Sequence, residues 1–228
     1  MVLSLVVIAG FESSVGSAFV QPTTLNNEPE TSAVVEEANQ QADSLSAMQG
    51  EQIAEMAKLP QTISKFDTLM KRVGEESGYD WRFMSAIAYC ESRFKEGLVS
   101  KRGAAGLMQV MPVVARHFKV PVSHIYNTET NVRLACRLLN EFEKMLRFPE
   151  NITEKDRLSI VLASYNAGVG HVQDARRLAR ADGANPNSWS VVSKYLQLKA
   201  GRFSGSRETL GFVKLAMTKY DEYCEIAW

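Results

Sequence analysis

Residues 59–228 predict a mainly α-helical domain, carried behind a flexible N-terminal extension. Three observations support this. Apolar residues recur three and four positions apart along most of the stretch. Gly, Asp, Asn and Thr fall where such runs stop and restart. No run alternates apolar with polar residues between turn signals, as a sheet protein would. The chain also contains no internal repeat.

The extension opens with Met1-Val-Leu-Ser-Leu-Val-Val-Ile-Ala-Gly10. This apolar run is too short to span a bilayer as a helix and has the length of a signal-peptide core. Gly16-Ser-Ala18 supplies small residues for cleavage, so residues 1–20 read as a signal peptide. The basic segment that usually precedes such a core is missing, which points to a true start further upstream. Residues 21–58 are rich in Gln, Asn, Thr, Ser and Glu and poor in large apolar side chains. Such a composition cannot bury enough surface to offset chain entropy. The segment reads as an acidic flexible tether, with a loose helix over 45–58.

From residue 59 the pattern changes. Ile63, Phe66, Leu69, Met70 and Val73 keep helical spacing, and Gly78 supplies a stop. Asp80 is placed to cap a helix running to Phe94. A glycine-bearing loop comes next, from Ser100 to Pro112, and Pro112 can open a short helix. Asn131 to Arg147 is amphipathic through Val132, Leu134, Ala135, Leu138, Leu139, Phe142, Met145 and Leu146. Thr153 caps a helix reaching Tyr165, which Asn166-Ala-Gly-Val-Gly170 breaks. Three more helices are expected: one through Val172 and Leu178, one over Ser190–Leu198, and one over Arg207–Tyr223.

The net charge is zero but unevenly spread. Residues 1–57 hold eight acidic residues and no Lys or Arg, so the remainder carries a net +8. A positive domain suits a polyanion, and both nucleic acid and a wall polymer with peptide carboxylates fit. Lys and Arg are scattered and no nucleic-acid motif occurs. The three cysteines (Cys90, Cys136, Cys224) are an odd count without metal spacing. Cys90 and Cys136 fall in apolar helical patterns and read as small buried hydrophobes, although one disulfide is open to an exported protein. His117, His124 and His171 have no ligand spacing. No metal and no cofactor is expected.

One residue breaks the packing logic. Phe83, Ile87 and Glu91 fall at i, i+4 and i+8, with Phe94 at i+11, and Trp81, Met84 and Ala88 broaden that face. A carboxylate on an apolar stripe loses hydration, so its charged form becomes costly and its pKa rises. That makes a proton donor near neutral pH. The bland alternative is a helix-end Glu that reaches water or pairs with Arg93 or Lys95. Three further segments join polar residues to backbone-permitting glycines: Ser100 with Gly103-Ala-Ala-Gly106-Leu-Met-Gln109, Ala163-Ser-Tyr165-Asn166-Ala-Gly168, and Glu208-Thr-Leu-Gly-Phe212.

Glu91-Ser92, Gly106-Leu-Met-Gln109 and Tyr165-Asn-Ala-Gly168, in this order, with Asn131-Val-Arg-Leu-Ala and Glu208-Thr, resemble the lytic transglycosylases of the soluble-lytic type, relatives of goose-type lysozyme. The resemblance covers roughly residues 65–224. His171-Val-Gln-Asp-Ala-Arg-Arg with Asn185-Pro-Asn-Ser-Trp189 is similar to a membrane-bound branch of that family. Members of that branch also carry a large N-terminal solute-binding-like domain, where this chain has only the acidic segment.

The resemblance implies a lysozyme-like transglycosylase domain over residues 59–228, acting on peptidoglycan glycan strands and exported to the periplasm or cell envelope. Glu91 would match the family's sole catalytic acid. It would protonate the oxygen between N-acetylmuramic acid and N-acetylglucosamine, then take the proton of the muramoyl 6-hydroxyl as that oxygen closes a 1,6-anhydro ring. The substrate acetamido group would assist, and no water is consumed. Ser100 would hydrogen-bond near the acetamido group, and Met108 and Gln109 would line the sugar cleft. Met108 reads equally well as core filler. Tyr165 and Asn166 would sit at the catalytic centre, with the Tyr165 hydroxyl on Glu91. Phe212 stands where the family usually has Tyr, with Tyr220 or Tyr223 as candidate substitutes, and Ser164 where Ala is usual. Two other readings share these residues: a lysozyme-type hydrolase, and a low-activity wall-binding module. A monomer is expected, with no nucleic-acid partner and membrane association left open.

Overall fold

The computed structural model describes residues 61–198 and 205–226, together with Ser46 and Met48. The chain divides into two units between residues 59 and 60. The expected signal peptide and tether lie outside the described residues, apart from Ser46 and Met48, which are helical and exposed.

The described residues of the second unit form helices α1 (Asp67–Ser77), α2 (Trp81–Ser92), α3 (Pro112–His117), α4 (Thr128–Leu146), α5 (Glu154–Ala167), α6 (Val169–Ala181), α7 (Trp189–Leu198) and α8 (Ser206–Cys224), with a 3-10 turn at Val122–Tyr126. The mainly helical expectation holds. No helix among the described residues is long and apolar enough to cross a membrane.

Local signals set the boundaries. Asp80 caps α2 by accepting the Arg82 N–H at 2.8 Å. Asn127 does the same for α4 and Thr153 for α5. Gly78 ends α1 in the left-handed region at φ 77°. The periodicity from Ile63 overstates α1. The Asp67 carboxylate takes the Ile63 and Ser64 N–H groups at 2.8 and 2.9 Å, which turns the chain into the helix only at Asp67. Similarly, Phe94 does not continue the α2 stripe. Arg93 and Phe94 are both left-handed, at φ 52° and 59°, so the helix stops at Ser92, directly after the acid.

Two helices form the interior. In α5, Leu158 through Ser164 are all buried, and in α2, Phe83 through Ala88. A helix buried on every side is central, and α5 packs against α4, α6, α7 and α8. Leu107, Met108, Ile125, Leu134 and Leu139 complete the same core, which brings the loop after α2 onto its surface. Arg176 crosses from α6 to the chain that precedes α7, donating to the Pro186 carbonyl at 2.9 Å and also binding the Leu146 carbonyl and Asn187.

Cys90 is half-buried, Cys136 buried and Cys224 exposed, and all three are free thiols. Burial pushes the Cys90 and Cys136 thiols up to about 11. His117 lies at the surface, paired with Glu141 at 2.8 Å.

Candidate active site

Glu91 occupies the last turn of α2 and is half-buried. Its carboxylate has no hydrogen bond and no ion pair with any described residue: Arg93 lies instead over the Tyr89 ring, 4.0 Å from its centroid. Burial, and secondarily the negative charge of Glu208 on α8, push the Glu91 carboxyl up from 4.5 to about 7. The negative end of the α2 dipole acts in the same direction. At neutral pH the group therefore exists in comparable protonated and ionised amounts, the condition for giving a proton and taking one back.

Beside it, residues 98–110 fold back on themselves as a small antiparallel loop. The Ala105 N–H and Val110 N–H each donate to the other's carbonyl at 3.0 and 2.9 Å, and the Gly106 N–H donates to the Leu98 carbonyl at 2.9 Å. The surrounding helices then fix this loop. Ser92 Oγ, next to the acid, donates to the Leu107 carbonyl at 2.8 Å. The Tyr165 hydroxyl donates to the Met108 carbonyl at 2.7 Å. Asn131, fully buried at the start of α4, accepts the Met108 N–H at 2.8 Å and donates to the Ala105 and Ile125 carbonyls, both at 2.8 Å. One amide thus binds three buried backbone groups, of which the Ala105 carbonyl also accepts from Val110.

The sequence expectations fare unevenly. Glu91 and Tyr165 come together: the negative charge of Glu91, after burial, is a cause of the raised Tyr165 phenol pKa, and Asn166 follows Tyr165 in the last turn of α5. The expected Tyr165 bond to Glu91 is not formed, because the hydroxyl is committed to the Met108 carbonyl. Met108 is a correction too. Its side chain is fully buried and cannot line a cleft; it fills core behind the site. Ser100 turns its hydroxyl oxygen inward, accepting the Ala104 N–H at 3.0 Å. Gln109, left-handed at φ 49°, donates its side-chain amide to the Gly106 and Leu98 carbonyls at 2.9 and 3.1 Å, which leaves its side-chain carbonyl oxygen for a ligand. Asn166 accepts from Thr209 Oγ1 at 2.8 Å. Phe212 packs partly buried against the core. Tyr220 does not replace the missing hydroxyl: its own lies 3.3 Å from Asp80, at the other end of α2.

Ser92, Asn131, Glu208 and Thr209 stand inside the sequence motifs, yet the motifs alone gave them no part in the site. Asn131 was legible in principle, since a polar residue three and four positions before Leu134 and Ala135 stands on the buried face of α4.

Comparison with known proteins identifies the family. Residues 68–187, slightly more than half of the chain, match the family model described as the transglycosylase SLT domain. The chain belongs to this family, and its helical architecture is the lysozyme-like fold of such domains. It is 33% identical over 152 residues to the membrane-bound lytic murein transglycosylase F of Marinobacter nauticus, covering 67% of this chain and 30% of that one. It is 39% identical over 145 residues to the enzyme named membrane-bound lytic murein transglycosylase F 1 of Alkalilimnicola ehrlichii, covering 61% and 28%. The chain thus spans less than a third of the length of these curated relatives. Among solved structures, the 70 kDa soluble lytic transglycosylase of Escherichia coli superposes with a TM-score of 0.51 at 26% identity, over 69% of this chain and 24% of that one. The family match ends at residue 187, short of the Glu208-Thr209 motif.

This geometry has two measurable consequences. A Cβ on Gly106, at φ 78°, would lie 2.6 Å from Asn131 Nδ2, a side chain with nowhere to move. Gly106→Ala should cost at least about 3 kcal/mol, from left-handed strain plus disruption of buried hydrogen bonds. Urea unfolding at pH 7 measures this, and a variant within about 1 kcal/mol of wild type would contradict the clamp. The second concerns pH. The Glu91 carboxyl titrates near 7 in the fold against an ordinary 4.5, so the folded state binds the proton more tightly. The resulting stabilisation is complete below pH 4.5 and disappears as pH rises through 7, about 3 kcal/mol in all. Glu91→Gln, which cannot ionise, should therefore gain stability on wild type by about that amount above pH 8 relative to pH 4. A pH-independent difference between the two proteins would exclude a raised pKa.

Proposed function

We propose that the protein is a peptidoglycan lytic transglycosylase, cleaving the β-1,4 bond between N-acetylmuramic acid and N-acetylglucosamine without water to give 1,6-anhydromuramoyl ends. The observation that carries this reading is the half-buried Glu91, raised toward neutrality with no cation among the described residues to hold it ionised. It gives its proton to the glycosidic oxygen as the bond breaks. The resulting carboxylate, poorly solvated and facing Glu208, regains a proton readily. The muramoyl 6-hydroxyl supplies that proton as its oxygen attacks the anomeric carbon. Atoms balance within the substrate, and the enzyme returns to its starting state. Tyr165 stays a neutral phenol and holds the loop backbone, while the Gln109 carbonyl and the Asn166 amide are available for sugar groups.

We take residues 59–228 as the catalytic unit, residues 1–20 as a leader and 21–58 as a tether. The substrate places the protein in the cell envelope, and the net positive charge of the catalytic unit suits a wall polymer with peptide carboxylates. A monomer suffices, because every residue invoked belongs to one chain.

One observation favours a second reading, hydrolysis by a lysozyme-type route. Glu208 is an exposed carboxylate near enough to influence Glu91, and a second carboxylate is what a hydrolase uses to activate water or capture the sugar.

Digestion of purified sacculi separates the two. Mass spectrometry should find anhydromuropeptides, with kcat/KM falling as pH rises above about 7 and Glu91 loses its proton. Glu91→Gln should lower kcat by at least about a hundredfold while still binding sacculi. Reducing-end muramic acid products would instead establish hydrolysis, and wild-type turnover by the variant would remove Glu91 as the acid.

A further inference from the structure

Asn166 is held in one orientation by a residue that does not itself face the glycan. Thr209, in the first turn of α8, is 1% exposed. Its hydroxyl has a single proton and two acceptors in reach, Asn166 Oδ1 at 2.8 Å and the Gly205 carbonyl at 3.1 Å. The shorter contact takes the proton. With Oδ1 occupied in this way, Asn166 Nδ2 must point away from α8. No described residue accepts from that nitrogen. It is also not sealed in the interior, since the only buried side-chain polar atom lacking a partner among the described residues is Ser85 Oγ. Its two N–H donors are therefore not sealed from solvent and meet no acceptor among the described residues, at the end of the same helix as Tyr165, which is near Glu91.

We propose that Thr209 is a positioning residue for substrate binding: by donating to Asn166 Oδ1 it turns the Asn166 amide nitrogen toward the glycan, where it donates to a sugar oxygen. This rests on the peptidoglycan reading above and extends it to a residue outside the family match. A carboxamide has two ends of opposite hydrogen-bonding character and nearly identical shape. Without the Thr209 hydroxyl, an Asn166 oxygen facing α8 would lack its donor, so the amide turns its oxygen outward and no longer offers N–H to the sugar. Thr209 prevents that turn. The effect belongs to binding, because nothing in it alters the proton affinity of Glu91.

The variants Thr209→Val, Thr209→Ser and Asn166→Asp test this, each for turnover on purified sacculi and, in a Glu91→Gln background, for equilibrium binding to sacculi. Thr209→Val keeps the shape and removes the hydroxyl, and should weaken binding and raise KM by about fivefold with kcat little changed. Thr209→Ser should restore both values. Asn166→Asp still accepts from Thr209 but has no N–H to offer, and should weaken binding to a similar degree. Combining Asn166→Asp with Thr209→Val should weaken it no further than the stronger single change, because both act through one bond. Unchanged binding by Thr209→Val, an equal defect in Thr209→Ser, or additive losses would each overturn the inference. Because binding is read without turnover, wild-type protein that binds sacculi yet releases no product would refute the lyase reading alone. Protein that does not bind sacculi would refute both.

Discussion

A carboxyl group is kept where its charged form has no support, and the rest of the site is arranged around that constraint. Glu91 loses water to the core packing of α2, faces Glu208 instead of a cation, and sits at the negative end of its own helix. A nearby Lys or Arg would lower its pKa and remove the proton it is proposed to give. Among the described residues the nearby cations are turned elsewhere: Arg93 lies on the Tyr89 ring, and Lys219 approaches the same ring at 5.1 Å. The left-handed turn at Arg93 and Phe94 costs conformational energy, and that turn is what ends α2 immediately behind the acid.

The adjacent loop depends on the same helix end. Its backbone reaches Ser92 through Leu107 and Tyr165 through Met108, while Asn131 closes its inner side. These bonds use polar side chains to satisfy main-chain groups, so the loop is tied to α2, α4 and α5 at once. The Tyr165 hydroxyl holds backbone rather than the acid. Among the described residues Glu91 is left without a donor, and a donor would have stabilised its ionised form.

Much of this was legible in the sequence, for identifiable reasons. Helix number and order came from apolar spacing, and the cap residues Gly78, Asp80 and Thr153 act as their chemistry requires. Glu91 was legible because a charge on an apolar stripe conflicts with packing. The errors arose where long-range contacts override local pattern. The periodicity from Ile63 could not reveal that Asp67 would capture two backbone N–H groups first. Met108 sits beside Gln109 in a motif, yet adjacent residues in a folded-back loop point to opposite sides, one into the core and one outward. The partner of Tyr165 lies 57 positions away in the chain and is a main-chain carbonyl, which no side-chain motif encodes. The 3-10 turn at Val122–Tyr126 comes after a Pro and carries no periodic signal of its own.

The proposed catalysis turns on the proton affinity of one side chain. Carboxyl-carbon NMR of protein labelled at glutamate, titrated from acid to alkaline pH and assigned by comparison with Glu91→Gln, reads it directly. The Glu91 resonance should titrate with a midpoint of about 7. In Glu208→Gln it should move down only part of the way, because burial is the larger cause. A midpoint at the ordinary value of 4.5 would mean a solvated, ionised carboxylate at neutral pH and would contradict the role given to Glu91.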